Sequence, residues 1–219
     1  MVVKLLRAIK SYFFIFVMYT YAVIFFIISL PFLFSEKMVY KSVKIWAKSF
    51  LFIGRVFGIS SEIIDLHKLK PGPKIICCNH QSYYEIIMLL SVLERPVFIM
   101  KKSIMKVPLF SIYMKKMNMI AIDRATYNFG WMDKAKDAFK EGKTLVIFPE
   151  GTRVPIGKEV PYKKGAFKLA KEVGMNIVPA KTNSAECWEG PGFIKKGYVY
   201  LRFFDEISPD PELLRKYIG

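Results

Sequence analysis

A histidine and a glutamate stand five positions apart in the stretch CCNHQSYYE, residues 77–85. His80 follows an apolar run typical of a buried strand, and Glu85 falls in the helical stretch after it. An imidazole can take a proton near neutral pH, and a neighbouring carboxylate can fix its tautomer. The pair is therefore a candidate general base and orienting acid. Two other interpretations are a capping histidine with a solvated glutamate, and a nucleophilic Cys78 that shares a strand face with His80.

Two further polar clusters follow apolar runs later in the chain. They are Asp123 and Arg124 after MIAI, and Glu150, Gly151, Thr152 and Arg153 after TLVIF. The carboxyl ends of parallel strands meet at one edge of a sheet, so we expect these clusters to gather beside His80. Arginine suits bidentate binding of a phosphate, and glycine lets the backbone approach a ligand closely. The sequence therefore predicts a base and a phosphate site at one sheet edge.

Short apolar runs alternate with helical patterns from residue 74 onward. The predicted strands are 74–78, 97–100, 119–122, 144–148, 177–180 and 198–204, and the predicted helices are 81–93, 131–141 and 165–173. This alternation predicts an α/β fold, a layered mixed sheet flanked by helices. We divide the chain into N-terminal membrane-anchoring helices, residues 1–60, and an α/β domain, residues 61–219, with its main part opening at the turn Pro71-Gly72-Pro73.

An uncharged apolar segment covers residues 13–34. It is long enough for a hydrocarbon core about 30 Å thick, and too long for a signal peptide. Residues 36–58 carry lysines on one helical face and apolar side chains on another. This pattern fits a helix in a membrane interface or one packed on the domain core. Because basic residues flank both sides of the apolar segment, we predict a membrane-associated helical hairpin or monotopic anchor on the cytoplasmic face of the cell (inner) membrane.

The chain is strongly basic and apolar at once. It has 34 Lys and Arg against 18 Asp and Glu, a net charge of +16, and 53% hydrophobic residues. This combination favours an anionic membrane as partner over nucleic acid, for which no binding motif is present. The three cysteines are odd in number and have no standard zinc spacing, so we expect neither a disulfide framework nor a metal or other cofactor.

The motifs NHQSYYE, AIDR, FPEGTR and VPAKTNS, in this order and at these separations, resemble the glycerolipid acyltransferases of the 1-acylglycerol-3-phosphate acyltransferase type. The resemblance covers about residues 74–188. It implies the glycerolipid acyltransferase fold and acyl transfer from acyl-CoA or acyl carrier protein to the 2-hydroxyl of lysophosphatidic acid, giving phosphatidic acid. His80 would be the general base and Glu85 the acid that orients it, in an H-x4-E variant of the motif, which usually ends in aspartate.

The resemblance also implies a set of residues that bind the substrates. The set is Lys101, Arg124, Glu150, Gly151, Thr152, Arg153 and Pro179. The second family block departs from the usual pattern, because Ser103, Ser111 and Asn118 replace a glutamate and glycines. Two alternatives stay open: the same chemistry on glycerol 3-phosphate or another lysolipid, and a non-catalytic lipid-binding protein on the same fold.

Overall fold

The computed structural model describes residues 2–123, 129–188 and 194–219, with side chains from residue 8 onward. Within these residues seven strands form one sheet, in the order β1-β7-β6-β2-β5-β3-β4. The strands are β1 (Ile59–Ile64), β2 (Ile75–Cys78), β3 (Pro96–Lys101), β4 (Ile120–Ile122), β5 (Thr144–Ile147), β6 (Ile177–Thr182) and β7 (Gly197–Phe203).

Five of these strands run in the same direction. β2 pairs in parallel with β5 and β6, and β3 pairs in parallel with β5 and β4. β7 is antiparallel to β6, and β1 is parallel to β7. The carboxyl ends of β2 to β6 therefore meet at one edge, as predicted. β1 was not predicted, and it places the start of the sheet at Ile59, before the Pro71–Pro73 turn.

Helices cover both faces of the sheet. They are α1 (Val2–Ile28), α2 (Glu36–Val56), α3 (Tyr84–Val92), α4 (Phe110–Lys116), α5 (Trp131–Lys140), α6 (Gly165–Glu172) and α7 (Pro211–Ile218). The first four share one apolar core, which includes Phe14, Val43, Met88 and Tyr113. The last three pack over the opposite face. The alternation of apolar strands and helices thus produces the layered α/β arrangement that was predicted.

α1 and α2 form an antiparallel hairpin, joined by the 3₁₀ turn Leu30–Phe34 that contains Pro31. The ring of Phe14 packs on Phe50 near the end of α2, and the ring of Phe26 packs on Trp46, with centroids 6.4 and 5.1 Å apart. The predicted helical hairpin is present, and Pro31 lies in its bend.

The apolar face of α2 packs against the domain instead of facing outward. Val39, Val43, Trp46 and Phe50 are all buried in the core shared with α3. The interpretation of residues 36–58 as a helix whose apolar face lies in the membrane interface is therefore wrong, and the core-packing alternative is correct. The reason is that α3, YEIIMLLSV, is apolar nearly all round and needs a cover on the side away from the sheet.

An ion-pair network around the buried Lys143 holds the start of α2. Lys143 is fully buried, and its Nζ lies 2.8 Å from Glu36 Oε1 and 2.6 Å from Glu141 Oε2. Arg95 Nη2 also reaches Glu36 Oε1, at 3.1 Å. Burial acts to raise the pKa of Glu36, but the hydrogen bonds from Lys143 and Arg95 outweigh it and lower that pKa. The hairpin is thereby fastened to the sheet where its second helix begins.

Candidate active site

His80 and Glu85 are in contact at the carboxyl end of β2. The chain leaves the strand at Cys78, and Glu85 is the second residue of α3. His80 Nδ1 lies 2.7 Å from Glu85 Oε1; the Glu85 side chain is fully buried and that of His80 is 14% exposed. An ionised carboxylate can only accept, so Nδ1 carries the shared hydrogen. Nε2 is then left as the basic nitrogen.

The carboxylate of Glu85 is held from several sides. Oε1 accepts hydrogen bonds from the backbone N–H groups of Gln81 and Ser82, both at 2.9 Å. Oε2 lies 2.9 Å from the hydroxyl of Ser82 and 2.5 Å from that of Ser184. These donors, together with the position at a helix start, stabilise the negative charge in a dry environment. These hydrogen bonds hold the Glu85 carboxylate in place, and its contact with Nδ1 in turn fixes the orientation of the His80 ring.

Side chains from the histidine loop tie it to the end of β6. Asn79 donates to the carbonyl of Thr182 at 2.9 Å and accepts from its N–H at 2.8 Å. Gln81 Oε1 accepts from the N–H of Ala185 at 3.2 Å. Sequence reasoning assigned no role to Asn79, Ser82, Thr182 or Ser184, although all four fall within the quoted motifs NHQSYYE and VPAKTNS. The signal that could have identified these four residues is their position within the two motifs.

The FPEGTR loop, residues 148–153, packs directly on His80. The ring of Phe148 stacks on the imidazole with centroids 4.2 Å apart. The N–H of Val154 donates to the carbonyl of His80 at 2.8 Å, and Glu150 Oε2 accepts from the N–H of His80 at 3.2 Å. The predicted convergence of the first and third clusters at one sheet edge is therefore present.

Glu150 is 7% exposed and lies behind the histidine backbone. Burial raises the pKa of its carboxyl to about 7. Hydrogen bonds from the backbone N–H groups of Glu150 and His80 oppose this rise, and the nearby Glu85 charge adds to it. Glu150 is thus placed to hold the loop, and its carboxylate has little contact with solvent.

Gly151, Thr152 and Arg153 follow on the outer side of the loop. Gly151 has φ +68°, and a Cβ there would lie 3.3 Å from Lys163 Cγ, so the turn requires glycine. Thr152 and Arg153 are exposed. The guanidinium carbon of Arg153 lies 4.5 Å from the ring centroid of Tyr83, a cation–π contact that keeps the cation beside the histidine loop.

The remaining predicted substrate-binding residues are spread more widely. Lys101 is exposed at the carboxyl end of β3, the neighbour of β5. Arg124 lies outside the described residues, and Asp123, which precedes it, is exposed. Pro179 is buried within β6 opposite Cys77, inside the sheet instead of at its edge. The structure therefore brings Glu150 to Arg153 to the histidine loop, and it does not bring Pro179 there.

Cys78 is fully buried in the strand that delivers His80. Burial raises the pKa of its thiol well above the usual value, and the nearby Glu85 and Glu150 raise it further. A thiol in this setting stays protonated and has no access to a substrate. The geometry therefore favours the histidine, and not Cys78, as the reactive group.

Comparison with known proteins decides the family. A family model described as Acyltransferase matches residues 60–182, more than half of the chain. The chain belongs to the acyltransferase family. It is 30% identical over 154 residues to a 1-acyl-sn-glycerol-3-phosphate acyltransferase of Pseudomonas aeruginosa, covering 68% of this chain and 60% of that protein. It is 32% identical over 133 residues to the human 1-acyl-sn-glycerol-3-phosphate acyltransferase beta, covering 58% of this chain and 48% of that one.

The chain thus spans about three-fifths of the length of the bacterial relative and about half of the human one. A solved structure of the family agrees over more of the chain. The crystal structure of the 1-acyl-sn-glycerophosphate (LPA) acyltransferase PlsC from Thermotoga maritima superposes with a TM-score of 0.80 at 25% identity, covering 98% of this chain and 92% of that one. The expected acyltransferase fold is confirmed.

Proposed function

We propose that this chain transfers a fatty acyl group from acyl-CoA or acyl carrier protein to the 2-hydroxyl of lysophosphatidic acid, giving phosphatidic acid for phospholipid synthesis. The observation that carries the proposal is the 2.7 Å contact between His80 Nδ1 and the buried Glu85 carboxylate. This is the geometry that a general base and its orienting acid require. Family membership and the names of the relatives support the reaction class.

In the proposed reaction His80 Nε2 removes the proton of the acceptor hydroxyl as its oxygen attacks the thioester carbonyl carbon. A new C–O bond forms, and the tetrahedral intermediate collapses with cleavage of the C–S bond. The thiolate leaves and takes the proton from the imidazolium. Glu85 stabilises the imidazolium while it exists, so transfer is direct and no acyl-enzyme forms.

The acceptor phosphate needs cations beside the histidine. In our proposal Arg153 is the main one, because its loop packs on His80 and its guanidinium is exposed beside Tyr83. Lys101, at the carboxyl end of β3, and Arg124 act with it. Gly151 and Thr152 shape the loop, and Glu150 supports it from behind. Fixing the phosphate would hold the 2-hydroxyl near Nε2 and lower the entropic part of the barrier.

The apolar helix α1 supports membrane association. Ala8–Ile28 is long and apolar enough to cross a membrane, with a mean hydropathy of 2.2 and 22% of its most apolar window buried. The helix docks on the domain at both ends. Near its start Phe14 packs on Trp188 with ring centroids 5.5 Å apart, and near its end Tyr113 Oη donates to the carbonyl of Phe26 at 2.6 Å.

These two contacts are 12 residues apart, about 18 Å along the helix. Contacts at both ends of the helix favour a position on the domain over a free span across a bilayer. We therefore propose that α1 lies in one leaflet as a monotopic anchor, at the cytoplasmic face of the inner membrane. Its exposed apolar side chains, Phe13, Phe16, Tyr19, Val23, Ile24, Ile27 and Ile28, would face the lipid.

The test is acyl transfer to lysophosphatidic acid in detergent micelles, with oleoyl-CoA and with acyl carrier protein as donors. We expect turnover by the wild type and its loss, by at least about a hundred-fold, in His80→Ala and Glu85→Ala, because a positioned base contributes on this scale. His67→Ala is the matched control, since His67 is the other histidine and is exposed.

Arg153→Gln should raise the KM for lysophosphatidic acid more than it lowers kcat. Turnover only with glycerol 3-phosphate or another lysolipid would replace the acceptor and keep the mechanism. Equal turnover by wild type and His80→Ala would overturn the mechanism.

A further inference from the structure

We infer that the 3₁₀ turn Lys102–Lys106 and α4 form a second membrane contact, which binds anionic lipid headgroups. The surface consists of Lys102, Ile104, Lys106, Val107, Ile112 and Lys115, and we call it the basic–apolar surface. It rests on the membrane association proposed above and extends it from the apolar helix to the α/β domain.

The charge of this part of the chain is one-sided. Residues 96–122 contain five lysines and neither aspartate nor glutamate. The Nζ atoms of Lys102, Lys106 and Lys115 have no ion-pair partner within the described residues, and all three side chains are exposed. A few surface lysines elsewhere do pair with carboxylates, such as Lys140 with Asp137 at 2.8 Å. Exposed lysines that make no ion pair complement an anionic surface.

Apolar side chains are exposed among these lysines. Ile104 is 38%, Val107 is 49% and Ile112 is 44% exposed. A purely solvated surface would not need three branched aliphatic residues, whereas an interfacial element combines them with lysines that reach the headgroups. This mixture favours a lipid bilayer over an acidic protein as the partner.

The inner face of α4 joins this surface to the apolar hairpin. The Tyr113 ring packs on Phe26 of α1 with centroids 4.6 Å apart, and its hydroxyl lies 2.7 Å from Ser29 Oγ. Phe110 also packs on Phe26. Ile112 and Lys115 are exposed on this same helix, so α4 connects the basic–apolar surface to the end of α1.

The basic–apolar surface also follows directly on Lys101, one of the proposed substrate-binding residues. Lys101, at the carboxyl end of β3, directly precedes the 3₁₀ turn. Contact of this turn with headgroups would bring the active-site edge of the sheet to the depth at which a lysolipid phosphate lies. Membrane binding would then orient the domain toward its acceptor as well as hold it.

The first test is flotation of the full chain with vesicles of phosphatidylcholine alone and with equal parts of phosphatidylcholine and phosphatidylglycerol. The variant replaces Lys102, Lys106 and Lys115 by Gln. The control variant replaces Lys168, Lys171 and Lys216, exposed lysines on α6 and α7 at the opposite sheet face, and so removes the same charge.

We expect the first variant to bind the anionic vesicles at least about ten-fold more weakly at low salt, because each lysine near the surface adds to the attraction. It should bind neutral vesicles like the wild type, and the control should bind both like the wild type. Equal binding of both variants to anionic vesicles would overturn the inference. Failure of the wild type to bind any vesicle would instead refute the membrane association itself.

The second test detects the contact between α4 and the lipid directly. Ile112→Cys can be labelled with an environment-sensitive dye, because all three native cysteines are buried. Its emission should shift to the blue with anionic vesicles, whereas a label at Lys216→Cys should not respond. An unshifted label at position 112 would overturn the inference. So would normal vesicle binding by the triple variant combined with loss of turnover only with acyl carrier protein, which would make the surface a carrier-protein site.

Discussion

Ser184 Oγ lies 2.5 Å from Glu85 Oε2, although the two residues are 99 positions apart. Both side chains are fully buried. Ser184 follows β6, and Glu85 belongs to the helix after β2, so the contact joins the ends of two neighbouring parallel strands. Glu85, the proposed orienting acid, is therefore positioned by a hydroxyl from the last family motif.

Ser184→Ala should lower kcat by about ten-fold and leave the KM values close to those of the wild type. The reason is that a buried carboxylate loses its shortest hydrogen bond, which also costs about 1–3 kcal/mol of the free energy of unfolding. Steady-state kinetics and chemical unfolding measure both effects. Ser208→Ala, at an exposed serine, is the control. An unchanged kcat would show that Ser184 does not position Glu85.

Cys78→Ala should keep its turnover within about two-fold of the wild type, because a protonated, buried thiol is not a nucleophile. Removal of the sulfur should cost about 1 kcal/mol of stability through a small cavity. The measurement is kcat with oleoyl-CoA beside a thermal unfolding curve. A well-folded variant without turnover would bring back the covalent route through Cys78.

Gly151→Ala should raise the KM for lysophosphatidic acid and destabilise the fold by about 1–2 kcal/mol, since φ +68° is unfavourable for alanine. Gly157→Ala separates the two effects. Gly157 lies further along the connection between β5 and α6; it has φ +76°, and a Cβ there would meet nothing within 4 Å. We expect it to lose similar stability while keeping its KM. Equal KM values for the two variants would contradict a role of the Gly151 turn in placing Arg153.

The stability of the fold should fall as the pH rises from about 5 to about 7. Burial raises the pKa of Glu150 from 4.5 to about 7, so the folded state keeps a proton that the unfolded state releases in this range. Ionisation above pH 7 then costs up to about 3 kcal/mol.

Glu150→Gln removes this cost and keeps an acceptor for the N–H of His80. Its Tm should approach that of the wild type at pH 5 and exceed it at pH 8. Glu212→Gln, at an exposed carboxylate, controls for the lost charge. A constant difference in Tm between wild type and Glu150→Gln at the two pH values would speak against a protonated Glu150.

Local signals were sufficient to predict the sheet edge and the His80–Glu85 pair. The apolar runs before His80, Asp123 and Glu150 end in polar residues, and parallel strands bring such ends together. α7 was missed despite a clear local start, in which Asp210 caps the helix before Pro211. The capping signal is short and does not by itself predict a helix. The helix forms because Leu214 and Ile218 pack on the sheet.

Other features depend on partners that are distant in the chain. β1 reads ISSEII and is apolar only in part, because it is an edge strand that pairs with β7 far downstream. Pro179 belongs to a family motif, but its strand register places it inside the sheet. The amphipathic pattern of α2 does not distinguish lipid from protein, and the apolar surface of α3 decides between them. Periodicity shows that a face is apolar, and tertiary packing determines what covers it.

The docking of α1 at both ends bears on attempts to make a soluble version of this protein. Phe14 and Phe26 are side chains of the apolar core, in contact with Trp188, Trp46 and Tyr113. Truncation of the apolar N-terminus would therefore expose aromatic core side chains of the domain. Removal of an anchor that makes no contact with the domain would not have this effect. A soluble variant instead needs polar substitutions on the exposed side of α1, with the side chains that pack on the domain left unchanged.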